Sequence, residues 1–321
     1  MNSQFENNRN FLALLVLLAI AASGATALAQ EPQEIRYLAL ELEPSKRTYA
    51  LGEPVYVTVR LRNRGTSKQS VATMLDPAAG FLSIFVKPAG AQQQQLFIPL
   101  AVGDFDVAPS ELAASGEMNA TFPIFFGGNG WTFTQTGDYD VFATLAGSGS
   151  AALRSTTAPI TIARGDGAGQ YLFSQSRQDQ YETGKFLVWQ QGDHLRRAHA
   201  TLDEIIKQFP DAPLSNHAVL ATGVSLSRPF HDYSIGRVRA AQPERALELL
   251  NRVNINELPD LLRLHRSLAL ARAYAAAGLR DDAQVRLDDA QSLAADSVRA
   301  LQQTLTAELT YDPVLAQMNK Q

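Results

Sequence analysis

The feature that most constrains this chain is a change of hydrophobic period near residue 165. Before it, apolar side chains recur at every second residue; after it, they recur at steps of three and four. A period of two lines one face of a pleated strand, whereas a period near 3.6 lines one side of a helix. The two patterns occupy separate halves and do not interleave, which predicts an all-β domain followed by an all-α one.

In the first half, Val55, Val57, Val59 and Leu61 alternate with Tyr56, Thr58, Arg60 and Arg62, and Asn63-Arg64-Gly65 supplies the turn. Further strands are predicted at 35–42, 69–74, 81–87, 96–100, 117–126, 139–145 and 159–163. In the sixth of these Tyr139, Val141, Ala143 and Leu145 share a face after the turn Thr136-Gly137-Asp138. Strands at this spacing without helices between them predict a sandwich of two antiparallel sheets. The segment from Ser45 through Tyr49, Gly52, Glu53 and Val55 to Asn63 resembles the first hairpin of immunoglobulin-like modules. Adhesion-type repeats, macroglobulin-type domains and some proteinase-inhibitor sandwiches share that pattern. Residues 137–143 (Gly-Asp-Tyr-Asp-Val-Phe-Ala) are similar to a late strand of such modules. The resemblance implies a fold and leaves the ligand open.

Gly165-Asp166-Gly167-Ala168-Gly169 follows. A phosphate-binding loop needs GxGxxG between a strand and a helix of a βαβ unit, and Gln170 occupies the place of the third glycine. Residues 165–178 are therefore read as a flexible linker. Beyond them Leu195, Ala198, Leu202, Ile205 and Phe209 form one apolar side of a helix, with Gly192 ending the helix before and Asp193 as its cap. A second side comprises Leu261, Leu264, Leu268, Ala271 and Ala275, stopped by Gly278. Asp281 then caps a helix bearing Ala283, Leu287, Ala290 and Leu293. The unit 264–298 resembles a tetratricopeptide repeat through Ala271, Tyr274, Gly278, Ala283, Leu287 and Ala290. Residues 209–213 and 243–250 are similar to further parts of such an array, and the polar segment 227–242 interrupts it. The resemblance implies helical hairpins whose groove holds part of another protein.

The N-terminus carries one basic residue, Arg9, then an apolar run from Phe11 to Ala22 and small residues ending in Ala27-Leu28-Ala29. This pattern predicts a signal peptide at 1–29, cleaved after Ala29, and a periplasmic or secreted protein. The run is shorter than the ~20 residues of a membrane-spanning helix, so no span is expected in the mature chain. The predicted organisation is thus a leader at 1–29, a β domain at 30–164, a linker at 165–178 and a helical domain at 179–321. The absence of cysteine excludes thiol catalysis and cysteine-bound zinc. A net charge of −4 argues against a nucleic-acid partner.

No catalytic set emerges, and no metal, cofactor or partner-binding residue is assigned. His194, His199, His217, His231 and His265 form no HExxH motif. His265 reads as a core or boundary histidine, and His231-Asp232 lies in the interrupting segment. Ser225, in Gly223-Val224-Ser225-Leu226-Ser227, lacks the final glycine of a nucleophile elbow and reads as a helix-end serine. Asp104/Asp106 and Asp138/Asp140 read as solvated turn residues, with calcium as the alternative. Asp281-Asp282 and Asp288-Asp289 fit capping and a polar helix face. Aromatics gather at Phe122, Phe125, Phe126, Trp131 and Phe133 around residues 127–130. Alternation puts Trp131 and Phe133 in the core; exposure of Trp131 would instead favour sugar stacking.

The expectation is an exported, non-enzymatic protein-binding or scaffold protein of the cell envelope, binding through its helical groove without a cofactor. The alternatives are a module for cell-wall glycan, a protease inhibitor acting through the sandwich, and an enzyme whose His231 segment meets acids of the β half.

Overall fold

A computed structural model describes residues 37–71, 75–103, 110–146, 152–233, 235–295 and 300–319. The predicted leader, and Asp104 and Asp106, lie outside them. The chain is α+β, with a strand-rich N-terminal region and a helical C-terminal region.

The strands are β1 (Leu38–Pro44), β2 (Thr48–Ala50), β3 (Tyr56–Asn63), β4 (Gln69–Val71), β5 (Leu82–Pro88), β6 (Gln95–Leu96) and β7 (Ser110–Leu112). They continue as β8 (Glu117–Pro123), β9 (Phe126–Gly127), β10 (Gly130–Trp131), β11 (Gly137–Ala146), β12 (Ala152–Arg154) and β13 (Ala158–Ala163). One sheet has the order β1-β3-β8. A second runs β2-β13-β11-β5-β6, with β12 also on β11. The alternating residues predicted to point inward do so: Val57, Val59 and Leu61 are buried, as are Tyr139, Val141, Ala143 and Leu145. The pairing is not all antiparallel, because β2 runs parallel to β13, Tyr49 opposite Ile162. After β1 the chain crosses to the second sheet at residues 45–47 and enters it alongside the last strand, in the same direction.

The helices are α1 (Ala168–Ser174), α2 (Arg177–Trp189), α3 (Arg196–Gln208) and α4 (Pro213–Leu226). A hairpin follows, β14 (Phe230–Asp232) with β15 (Arg237–Arg239). Then come α5 (Pro243–Arg252), α6 (Asp260–Ala276), α7 (Arg280–Ala295), α8 (Ala300–Tyr311) and α9 (Pro313–Met318). Each of α2 to α8 packs on its successor, and α8 also returns to touch β8. The predicted buried sides are found: Leu195, Ala198, Leu202 and Ile205, then Leu264, Leu268 and Ala271, then Ala283, Leu287 and Ala290. No described helix is long and apolar enough to cross a membrane.

Two predicted caps differ. Gln190, in left-handed conformation (φ 52°), ends α2 ahead of Gly192. Asp193 does not cap α3; its carboxylate pairs with Arg239 of β15, which also donates to the Ser225 carbonyl at 2.9 Å. Asp281 falls inside the first turn of α7, which begins at Arg280, and there it still complements the helix dipole.

The larger departure concerns the joint between halves. Where glycine content predicts a flexible linker, α1 is packed into the protein with Ala168 and Leu172 buried. A single apolar cluster runs from Val57 and Phe125 through Leu172 and Phe186 to Leu214 and Leu270. The glycines serve close approach rather than motion. A Cβ on Gly169 would lie 1.9 Å from the Leu51 carbonyl oxygen, and one on Gly184 of α2 would lie 2.1 Å from the Phe126 ring. Phe126 is buried and held by Trp131 and Tyr181, both with ring centroids 5.6 Å away. The ring therefore has little room to yield.

Gly184→Ala is accordingly expected to destabilise the chain by about 1–3 kcal/mol through overpacking. Intrinsic helix propensity alone would stabilise it by about 1 kcal/mol. Chemical denaturation of the full chain gives the sign, and loss of stability identifies the Phe126 contact as limiting.

Candidate functional site

The residues of the immunoglobulin-like pattern build one corner of the protein. Tyr49 is buried, donates its hydroxyl to the Tyr56 carbonyl at 3.3 Å and accepts the Lys46 N–H at 3.0 Å. That burial pushes its phenol up to about 12. Gly52 holds a left-handed turn at φ 79°, 3.1 Å from the Gly169 Cα when given a Cβ. The turn brings Glu53 back to accept the Ala50 N–H at 2.8 Å and to pair with Lys46. Asn63 is buried at the far end of β3, where its amide donates to the carbonyls of Ser67, Leu112 and Ala113. The polar side chains Tyr49, Glu53 and Asn63 thus satisfy backbone groups that the turns would otherwise leave bare.

This corner forms one wall of a cleft of about 500 Å³ between the two halves. Tyr56, Thr58 and Arg60 of β3 and Thr121 of β8 supply the strand wall. Residues 256–260 and Arg263, at the start of α6, supply the opposite wall, and His217 of α4 lies deep between them. Thr58 and Thr121 share a hydrogen bond of 2.8 Å across the strands. The charges are largely matched: Lys46 with Glu53, Arg60 with Glu43, and Arg263 with Asp260. Burial pushes the Glu53 carboxyl up, Lys46 and the Ala50 N–H pull it back, and Glu257 across the cleft raises it again. Burial wins, so the ion pair holds the corner together without making Glu53 a strong acid.

His217 is 6% exposed and its ring stacks on Tyr56 at 6.3 Å and 14°. Burial, helped by the Lys46 ammonium, lowers its imidazole from 6.5 to about 3. It is neutral at pH 7. Tyr56 is 4% exposed, and burial alone pushes its phenol up. Neither side chain has a hydrogen-bond partner among the described residues. The fully enclosed polar side-chain atoms that lack a partner there are Gln170 Oε1 and Arg228 Nε. The Tyr56 hydroxyl and the His217 ring are therefore not sealed; they open onto the cleft they line.

The other residues singled out from sequence stay apart. His194 stacks on Phe230, and His199 bonds the Gly192 carbonyl at 3.3 Å against the Phe186 ring. His231 lies exposed on the hairpin beside Tyr233. His265 bonds Gln190 at 3.0 Å, and burial lowers it to about 4. Ser225 is buried in the last turn of α4. Asp138 accepts the Thr161 hydroxyl at 2.6 Å, Asp140 is exposed, and Asp288 and Asp289 bond Gln284 and Arg286. Among the described residues no three metal-ligating side chains come together. Phe133 is buried, but Trp131 is only partly so. Trp131 Nε1 donates to the Gln180 carbonyl of α2 at 2.9 Å, and Phe173 of α1 covers its ring. The aromatic cluster is thus closed by helices rather than offered to a sugar.

Sequence reasoning missed Tyr56, whose place in an alternating strand marks it only as outward-facing. It also missed Arg272 of α6, which is buried and paired with Glu308 and Asp312, 36 and 40 residues away. An arginine on the apolar side of a helix was the available signal.

No protein-family model matches this chain, and no curated protein does. Several solved structures are similar. The crystal structure of a beta-glucosidase from Listeria innocua in complex with glucose is 15% identical over 39% of this chain and 16% of that one, at a TM-score of 0.23. The CARDB domain of the PF1109 protein from Pyrococcus furiosus, in complex with di-metal ions, is 17% identical over 39% and 91%, at 0.23. Spo0M, a sporulation control protein from Bacillus subtilis, is 11% identical over 43% and 54%, at 0.27. Likeness at this level says nothing of activity.

The buried neutral histidine has a consequence for pH. Its folded value lies below its unfolded 6.5, so the unfolded chain binds the extra proton first on acidification. Stability is present above pH 6.5 and is lost as pH falls below it, at up to ~1.4 kcal/mol per pH unit for this group. Replacing His217 by Phe keeps a ring against Tyr56 and is expected to make the thermal-midpoint profile between pH 6.5 and 5 shallower, leaving the slope that buried His265 contributes.

Proposed function

We propose that this chain is an exported, non-enzymatic protein-binding or scaffold protein of the cell envelope. In this reading an immunoglobulin-like sandwich is joined to tetratricopeptide-like helical hairpins. The observation that carries it is a second open groove, of about 490 Å³, in the helical half. Ala276, Ala307, Tyr311 and Val314 give it an apolar surface around Arg228 and Arg272. An apolar groove whose Arg272 is already paired with Glu308 and Asp312, leaving Arg228 as its one cation without an acid partner among the described residues, suits a side chain or helix of another protein. Ion pairs within both clefts, Lys46 with Glu53 and Arg60 with Glu43 in one and Arg272 with Glu308 and Asp312 in the other, support a fixed binding surface. The periplasmic or secreted location rests on the leader pattern at 1–29.

Because one core runs through both halves, the test uses the intact chain. Cross-linking in a cell-envelope extract should capture a protein at stoichiometric level, and Ala276→Arg, which fills the groove, should reduce capture at least tenfold. Capture of glycan alone, or inhibition of a protease that Ala276→Arg leaves unchanged, would overturn the reading.

A further inference from the structure

The cleft between the halves has a specific unmet requirement. Its rim charges are paired within the protein, and Glu257 accepts the Asn254 amide at 2.9 Å. What remains unpaired is uncharged: the Tyr56 hydroxyl and the neutral His217 ring, each more than nine-tenths buried and open to the same space. Their complement is a group with one hydrogen-bond acceptor for the phenol and one donor for the imidazole. A residue of an extended peptide provides both, because its own N–H and C=O point to the same edge of the strand.

The shape narrows the class further. Tyr56, Thr58 and Arg60 stand on alternate positions of β3, so the wall extends ~13 Å along the strand. That is the length of about four extended peptide residues. Thr58, Thr121 and the charged pairs offer further partners along it. A pyranose would want an open aromatic face, and the rings of Tyr49 and Tyr56 are buried.

We propose that the cleft between the strand wall and the start of α6 binds an extended peptide segment of another protein, about four residues long. Its backbone carbonyl accepts from the Tyr56 hydroxyl and a backbone N–H donates to His217. The proposal rests on the protein-binding reading and moves one contact from the helical groove to the joint between halves. A strand-like segment seated there touches both halves at once, so its binding depends on their fixed placement.

The purified full chain is screened against a library of N-acetylated, C-amidated hexapeptides, with tetra-N-acetylchitotetraose as a second probe. Enriched peptides are titrated by calorimetry into the unaltered chain, Tyr56→Phe and His217→Phe. Each substitution should weaken peptide binding about three- to tenfold, the loss of one hydrogen bond. The thermal midpoint of Tyr56→Phe should be unchanged or higher, because the hydroxyl it removes has no partner within the protein. A merely structural hydroxyl would lower that midpoint and overturn the proposal. So would peptide affinity indifferent to Tyr56→Phe, absence of any bound peptide, or chitotetraose binding that Tyr56→Phe weakens. If the cross-linked protein partner is still captured by Tyr56→Phe at full level, the cleft proposal fails while the scaffold reading stands. If neither peptide nor protein is captured, both fail.

Discussion

Everything in this molecule depends on the two halves approaching each other at glycines, which leave no side chain of their own in the way. Gly169 lies against the Leu51 carbonyl, Gly52 against Gly169, and Gly184 against the Phe126 ring. A methyl group at Gly169 or Gly184 would force the halves apart. With hydrogens there instead, Phe126, Trp131, Phe173 and Tyr181 interlock across the boundary at ring separations of 5.5–5.6 Å. Such pairs contribute about 0.5–1.5 kcal/mol each beyond the area they bury. The apolar core consequently does not stop at the domain boundary.

That continuity explains why groups of the strand half and the helical half form one cleft. Tyr56 leaves β3 on its outer face, which a lone two-sheet module would turn to water. Here α4 covers it and stacks His217 upon it. Burial then keeps the imidazole neutral, and the same burial leaves the phenol without a protein partner. Around them Lys46 with Glu53, and Arg60 with Glu43, cancel charge before any ligand arrives. The result is a polar trough whose unmet hydrogen bonds belong to neutral groups.

The helical half uses buried charge differently. Arg272 lies within the α6 packing face and is matched by Glu308 and Asp312 from α8 and its C-terminal turn. Removing either acid would leave a buried guanidinium undercompensated, so the pair ties the last two helices to α6. Arg239 makes a similar clamp at the other end, joining the hairpin to Asp193 and the end of α4. The polar segment that interrupts the helical pattern is thereby anchored to the array.

By itself the sequence determined the order of a strand-rich region before a helical one, the inward faces of β3 and β11, and the buried sides of α3, α6 and α7. Period and turn residues are local quantities, and local geometry decides them. It also marked the Tyr49–Asn63 pattern, whose polar groups bond within a few residues or, for Asn63, to the end of β7. Only the tertiary structure decided that residues 168–174 are a buried helix rather than a linker. A glycine-rich segment is flexible when solvated and close-packing when another backbone lies on it, and composition does not distinguish the two. The same holds for the candidate site. Tyr56 and His217 lie 161 residues apart, Arg272 and Asp312 lie 40 apart, and no spacing rule connects them. They became a site and a clamp because two apolar faces, each legible alone, had to be buried against one another.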